Sequence, residues 1–128
     1  MKVLVTGVSG FVAQALALEL HNQGYEVTGT SRSSVLLPFP VIEIDLSKKD
    51  LNLDGFEAVF HVASKVAMWG DFDEFYQANV VATEKLIAAC KTVRYFIYTS
   101  SPSVIAGGTN LCNVNESISY PKKYLPNY

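Results

Sequence analysis

The stretch T-G-V-S-G-F-V-A, Thr6 to Ala13, decides the fold. It follows Lys2–Thr6, an apolar, β-branched run that reads as a short buried strand ended by Gly7. It opens onto Phe11 to Gln23, where Ala15, Leu16, Leu18, Glu19 and Leu20 favour helix and Gly24 stands where a C-cap glycine would. Gly7 permits a tight turn with unusual φ, and Gly10 lets the backbone come close to an anion. The helix that follows points its first N–H groups, and the positive end of its dipole, at that anion. Ala13 takes the third small position, where helix and strand pack closely. A glycine loop placed after a first strand and before a helix is a specific signal for a dinucleotide pyrophosphate.

Working outward, Tyr25 to Thr30, Val41 to Ile44, Glu57 to Val62 and Arg94 to Thr99 read as further strands. Phe72 to Lys91 reads as one long helix, with Ala78, Ala82, Leu86 and Ala89 at helical spacing. The segment from Ser33 to Leu53 is short and irregular, so one crossover is expected to be a loop. Strands alternating with helices imply right-handed crossovers and a parallel sheet covered on both faces. The near-continuous apolar strands fit that arrangement.

The totals narrow the function classes. The chain has 128 residues and a formal charge of −2, enough for one domain with a real core. A near-neutral, slightly acidic balance argues against a nucleic-acid surface, which needs a clustered basic face. No apolar run reaches the length of a membrane span. Met1-Lys2 leads straight into the first strand without a cleavage pattern, so no signal peptide is expected and the expected location is cytoplasmic. Cys90 and Cys112 have no metal-type spacing and read as free thiols in a reducing compartment. No metal site is expected.

The end of the second strand normally selects the cofactor, because an acid there hydrogen-bonds a ribose 2′-hydroxyl. Here the residues are T-G-T-S-R-S-S, 28 to 34, without an acid. Ser31 and Ser33 are small donors, and Arg32 suits a 2′-phosphate. The reading favours NADP(H) over NAD(H). Asp45 is the first acid after the third strand.

With these residues in view, the chain resembles the extended short-chain dehydrogenase/reductases, within the epimerase/dehydratase superfamily. T-G-V-S-G-F-V-A, I-D-L at 44–46, H-V-A-S-K at 61–65, N-V-V-A-T at 79–83 and Y-T-S-S-P-S-V at 98–104 occur in that family's order. The nearer likeness is to its branch of 3β-hydroxysteroid dehydrogenases and 2-alkyl-3-oxoalkanoate reductases. The resemblance implies an α/β, Rossmann-type doubly wound parallel sheet of about five strands in the order 3-2-1-4-5. It implies a single dinucleotide-binding domain, the N-terminal part of a longer enzyme. It also carries over site residues. Thr6, Gly7, Ser9, Gly10, Phe11 and Val12 belong to the pyrophosphate loop, with Ser31 and Arg32 at the ribose. Asp45 and Leu46 face the adenine. Val62, Ala63, Ser64, Lys65 and Thr99 pass beneath the cofactor, and Asn79 steadies the strand beside it.

The reaction implied by the resemblance is hydride transfer between a nicotinamide and a 3-oxo or 3-hydroxy group of a lipid-like or steroid-like substrate. Ser101 would fix the substrate oxygen and Tyr128 would move its proton. A tyrosine does that only when its pKa is lowered from near 10, which the family achieves with a lysine one helical turn on. Tyr128 is the last residue, so the expectation is a chain cut at its proton donor. It would lack the last strands and the substrate lobe, be inactive alone, and associate with itself through an uncovered fifth strand. Tyr120 and Tyr124 are weaker candidates.

Other residues carry balanced readings. His61 is either a cofactor contact or a packed histidine, and Met68 and Trp69 either a substrate wall or simple packing. Glu84, Lys85, Lys122 and Lys123 read as solvated, and Glu116 has no role. Two rival readings stand: a nucleotide-sugar epimerase or dehydratase, and a non-catalytic dinucleotide sensor. The loop V-A-S-K-V-A-M-W-G, 62–70, speaks against the first, and the presence of Ser101 and Tyr128 against the second.

Overall fold

Five parallel strands form one sheet in a computed structural model that describes residues 1–107 and 111–122. The strands are β1 (Lys2–Thr6), β2 (Glu26–Ser31), β3 (Val41–Glu43), β4 (Ala58–His61) and β5 (Tyr95–Tyr98), in the order β3-β2-β1-β4-β5. The expected strand order is therefore the observed one. β1 lies at the centre, with Val3 opposite both Val27 and Ala58.

Alternation along β1 divides the core. Val3 and Val5 point to one face, where Ala13 and Ala17 of α1 (Phe11–Asn22) and Phe39 pack on them. Leu4 points to the other, among Ile44, Leu46, Leu53, Val59 and Leu86. Side chains of successive strand residues leave opposite faces, so a strand buried on both sides must be apolar throughout. Each fully buried leucine or valine stabilises the sheet by about 1.5–3 kcal/mol.

The second helical segment departs from the single long helix expected. α2 (Phe72–Tyr76) runs into a π-helical turn, Gln77–Val81, and then into α3 (Ala82–Ala89). Asp71 caps α2, its carboxylate accepting from the Asp73 N–H. Ala82 and Leu86 bury against the sheet as their spacing predicts. The connections on either side of β3 are loops, so the irregular reading of 33–53 holds for both. A short 3-10 helix, Pro102–Ile105, follows β5.

Glycine opens close approaches at two places. Gly7 has φ +79°, and a Cβ there would lie 2.9 Å from Ala63 Cα. A Cβ on Gly29 of β2 would meet Val8 Cγ2 at 2.6 Å. The first joins the glycine turn to the segment after β4, and the second lets that turn sit down on β2.

Candidate functional site

The carboxyl ends of β1, β2 and β4 surround a cavity of about 870 Å³, within the usual size of a small-molecule site. The turn after β1 is pinned to β2, with the Gly7 and Val8 N–H groups both donating to the Thr30 carbonyl at 2.8 and 2.9 Å. The Gly10 N–H then donates to the Gly7 carbonyl at 2.8 Å, which aims α1 across the cavity. Gly10 is the N-cap and supplies no side-chain acceptor. The first-turn N–H groups of α1 are thus left for an anion in the cavity.

Gly7, Ser9, Gly10, Phe11, Val12, Ser31, Arg32, Asp45, Leu46, Val62, Ala63, Ser64, Lys65 and Thr99 all line this one cavity. Phe11 is 90% exposed and Val12 is also exposed, so both present apolar surface to the opening. Arg32 is exposed and has no ion-pair partner among the described residues. Ser31 is buried, and its hydroxyl accepts the Ser33 N–H at 3.2 Å, shaping the turn that presents Arg32.

Thr6 is placed differently from the rest of that set. It is fully buried, and its hydroxyl accepts the N–H groups of Val62 at 3.1 Å and Ala63 at 3.0 Å. It supports the cavity floor from beneath without lining it. Asp45 lines the cavity, but its Oδ1 is engaged by the Ser47 hydroxyl at 2.7 Å and the Ser47 N–H at 3.0 Å. Those bonds, with Lys48 at 3.6 Å, hold its carboxyl below the usual carboxylate range.

Lys65 closes one end. Its ammonium pairs with Glu74 of α2 and lies 5.4 Å above the Phe75 ring. Its backbone is gripped by Asn79, whose Oδ1 accepts the Lys65 N–H at 2.6 Å and whose Nδ2 donates to the Lys65 carbonyl at 3.0 Å. Asn79 therefore holds the loop after β4, not a strand. Asp73, Glu74, Gln77 and Ala78 also line the cavity, though no motif in the sequence marked them. Their helix reaches the site only through the turn at Gly70 and the cap at Asp71.

Ser101 lies in an adjoining space of about 330 Å³ that shares Ala63, Ser64, Lys65 and Thr99 with the larger one. Its hydroxyl is exposed, 2.9 Å from the Ser103 hydroxyl, and accepts the Ser103 N–H at 3.2 Å. Tyr128 falls outside the described residues, as do Lys123 and Tyr124. Tyr120 is exposed. Met68 and Trp69 are exposed on the loop beyond Lys65 and pack little. Lys85 is ion-paired with Asp50 at 3.0 Å, so it is less purely solvated than its sequence suggests. Cys90 and Cys112 are free, and burial pushes the Cys90 thiol up. Among the described residues no cluster could hold a metal ion, and no helix is long and apolar enough to cross a membrane.

A dinucleotide fits what is present. The glycine turn packs directly on Ala63 of the cavity floor, the uncapped helix start suits a pyrophosphate, and the cavity is large enough.

Comparison with known proteins agrees. Residues 3–125 match the model of the NAD dependent epimerase/dehydratase family. The chain is 36% identical to a 2-alkyl-3-oxoalkanoate reductase of Shewanella oneidensis, over 97% of this chain and 34% of the relative. It is 34% identical to a 3 beta-hydroxysteroid dehydrogenase/Delta 5-->4-isomerase of Mycobacterium tuberculosis, over 96% of this chain and 38% of the relative. Among solved structures, UDP-glucuronic acid 4-epimerase from Bacillus cereus in complex with NAD superposes with a TM-score of 0.80 at 27% identity. That match covers 96% of this chain and 47% of the epimerase. The chain thus spans little more than a third of the length of the curated relatives it matches.

Proposed function

The chain belongs to the NAD dependent epimerase/dehydratase family, and we propose that it forms the dinucleotide-binding part of an oxidoreductase. The proposed reaction moves hydride between a nicotinamide cofactor and a 3-oxo or 3-hydroxy group of a lipid-like or steroid-like substrate. The observation that carries the binding role is the cavity itself. The glycine turn, the uncapped start of α1 and the loop after β4 converge on it. The names of the reductase and hydroxysteroid dehydrogenase relatives support the substrate class.

The bound cofactor would supply or accept the hydride. The protein's own residues bind and orient. First-turn N–H groups of α1 receive the pyrophosphate, and Ala63 and Ser64 pass beneath the ribose. Ser101, exposed in the adjoining space, fixes a substrate oxygen by hydrogen bonding. Tyr128 is proposed as the proton donor and acceptor on the strength of the sequence resemblance.

The cofactor is proposed to be NADP(H). A solved neighbour holds NAD, yet the residues at the end of β2 are Ser31 and Arg32, where an acid would receive a ribose 2′-hydroxyl. Arg32 opens on the cavity with a guanidinium that has no ion-pair partner among the described residues and is suited to a phosphate. Titration of the chain with NADPH and NADH, followed by nicotinamide fluorescence, tests both points. NADPH should bind more tightly. Arg32→Ala should weaken NADPH about tenfold, a change of ~1.4 kcal/mol, and leave NADH nearly unchanged. Equal loss for both cofactors would remove the 2′-phosphate assignment, and no binding of either would remove the function.

A second reading is a nucleotide-sugar epimerase or dehydratase. It is favoured by the likeness to a solved complex with UDP-glucuronic acid and NAD, 31% identical at a TM-score of 0.79. A UDP-sugar that binds alongside NADPH would support it over the reductase. The uncovered edge strand β5 is also proposed as a surface for self-association.

A further inference from the structure

We infer that His61 is a positioning residue that holds the floor of the cofactor cavity from both ends, in its neutral Nε2–H form. The inference rests on the binding role proposed above for what it implies about the cofactor, but its geometry stands by itself.

A hydroxyl has one proton to give and two lone pairs to fill. Thr6 Oγ1 accepts the Val62 and Ala63 N–H groups, which use both lone pairs. Its own proton must therefore go to His61 Nδ1, 2.8 Å away. Nδ1 is then an acceptor, and the ring proton sits on Nε2. That nitrogen donates to Thr83 Oγ1 at 2.8 Å. The Thr83 hydroxyl donates in turn to the Asn79 carbonyl at 2.7 Å, inside the π-helical turn. The Asn79 side chain completes the circuit on the backbone N–H and carbonyl of Lys65.

The segment 62–65 is thus held at Val62 and Ala63 through Thr6, and at Lys65 through Asn79. His61, through Thr83, joins the two supports. From the two backbone N–H groups at its start, the direction of each hydrogen bond follows in turn through Thr6, His61 and Thr83. A protonated ring would turn a second N–H toward Thr6 Oγ1, whose lone pairs are already filled. The threonine proton would lose its acceptor in a fully buried place.

Among the described residues no carboxylate pairs with the His61 ring. His61 is 1% exposed, packed against the rings of Phe96 at 6.1 Å and Tyr98 at 5.6 Å on β5. Thr6 of β1 and Thr83 of α3 occupy the ring nitrogens. Of these neighbours only Tyr98 carries an ionisable group, and it meets the ring through its own aromatic face. Lys65, at the end of the same segment, turns its ammonium to Glu74. Burial accordingly pushes the His61 ring below its ordinary value of 6.5.

Nitrogen-15 spectroscopy of the whole chain tests the tautomer, with His21→Gln separating the two histidines. His61 should show the pattern of a fixed Nε2–H imidazole that is still neutral as pH falls through 6.5. A ring proton on Nδ1, rapid averaging between tautomers, or ordinary titration would each overturn the inference. The second arm is Thr83→Val, which keeps the shape of the side chain and removes its hydroxyl. Amide signals of Val62, Ala63 and Lys65 should move, and NADPH should bind about tenfold more weakly. Thr83→Ser should restore both. NADPH binding equal to that of the parent, with those amides unmoved, would show that the circuit positions nothing. A parent chain that binds no dinucleotide would sink the proposed function. The tautomer and the amide shifts would still decide the circuit.

Discussion

At Gly7 two constraints fall on one residue. Its φ of +79° disfavours any side chain, and its missing Cβ is the space in which Ala63 sits. Gly7→Ala should therefore cost about 1–3 kcal/mol of stability, more than an ordinary glycine-to-alanine change in a turn. Because the strain is relieved only by moving Ala63, dinucleotide affinity should fall as well. Urea unfolding and cofactor titration of the same variant check this, and an intact affinity in a destabilised variant would show that the turn yields without the floor. Much of the site was legible at this scale. Gly7 and Gly10 could be placed in the turn after β1 because a glycine pair between a first strand and a helix serves few other purposes. Thr6 could not be read correctly, since an apolar strand ending in threonine looks the same whether the hydroxyl faces the cavity or the core. His61 also stood open between two roles, because the second of its partners, Thr83, is 22 residues away.

Elements were legible where a local pattern sufficed. β1 falls on Lys2–Thr6 as read, and α1 ends one residue short of the expected Gln23. The π turn was invisible, because the spacing of Ala78, Ala82 and Leu86 is that of an ordinary helix. Asn79, within that turn, pairs with the Lys65 backbone across the site, and only the folded chain brings Lys65 there. β5 was legible for the same reason as β1. Its residues R-Y-F-I-Y-T read as a strand with an uncovered apolar flank, and Tyr95, Ile97 and Tyr98 are 47, 41 and 53% exposed. Among the described residues β5 pairs with β4 on one side and is the edge of the sheet on the other. An edge with an apolar, aromatic flank offers unpaired backbone groups to another chain. Sedimentation should show association that grows with concentration, and Ile97→Lys should reduce it while leaving cofactor binding in place. A monomer at every concentration, in parent and variant alike, would count against the edge as an interface.

For the molecule as a whole, the buried neutral histidine ties stability to pH. The His61 ring is pushed below 6.5 in the folded state, whereas in the unfolded chain it takes up a proton near that value. As pH falls through 6.5, the unfolded state binds a proton that the folded state refuses. Stability therefore rises with pH in this window and is lost on acidification. One such proton limits the slope to about 1.4 kcal/mol per pH unit. Asp45 acts in a separate, lower window. Ser47 holds its carboxyl below 3.8, so its contribution is present above that value and is lost as pH falls through the folded pKa. Between pH 7.5 and 5.5 the histidine window is well separated from the Asp45 one. Urea unfolding across that interval should show falling stability in the parent. His61→Gln, whose amide can accept from Thr6 and donate to Thr83 without titrating, should flatten the curve even if its plateau is lower. A parent curve that is flat from 7.5 to 5.5, or a variant that keeps the parent's slope, would mean that the proton is taken up elsewhere and that the circuit through Thr6 and Thr83 tolerates a charged ring.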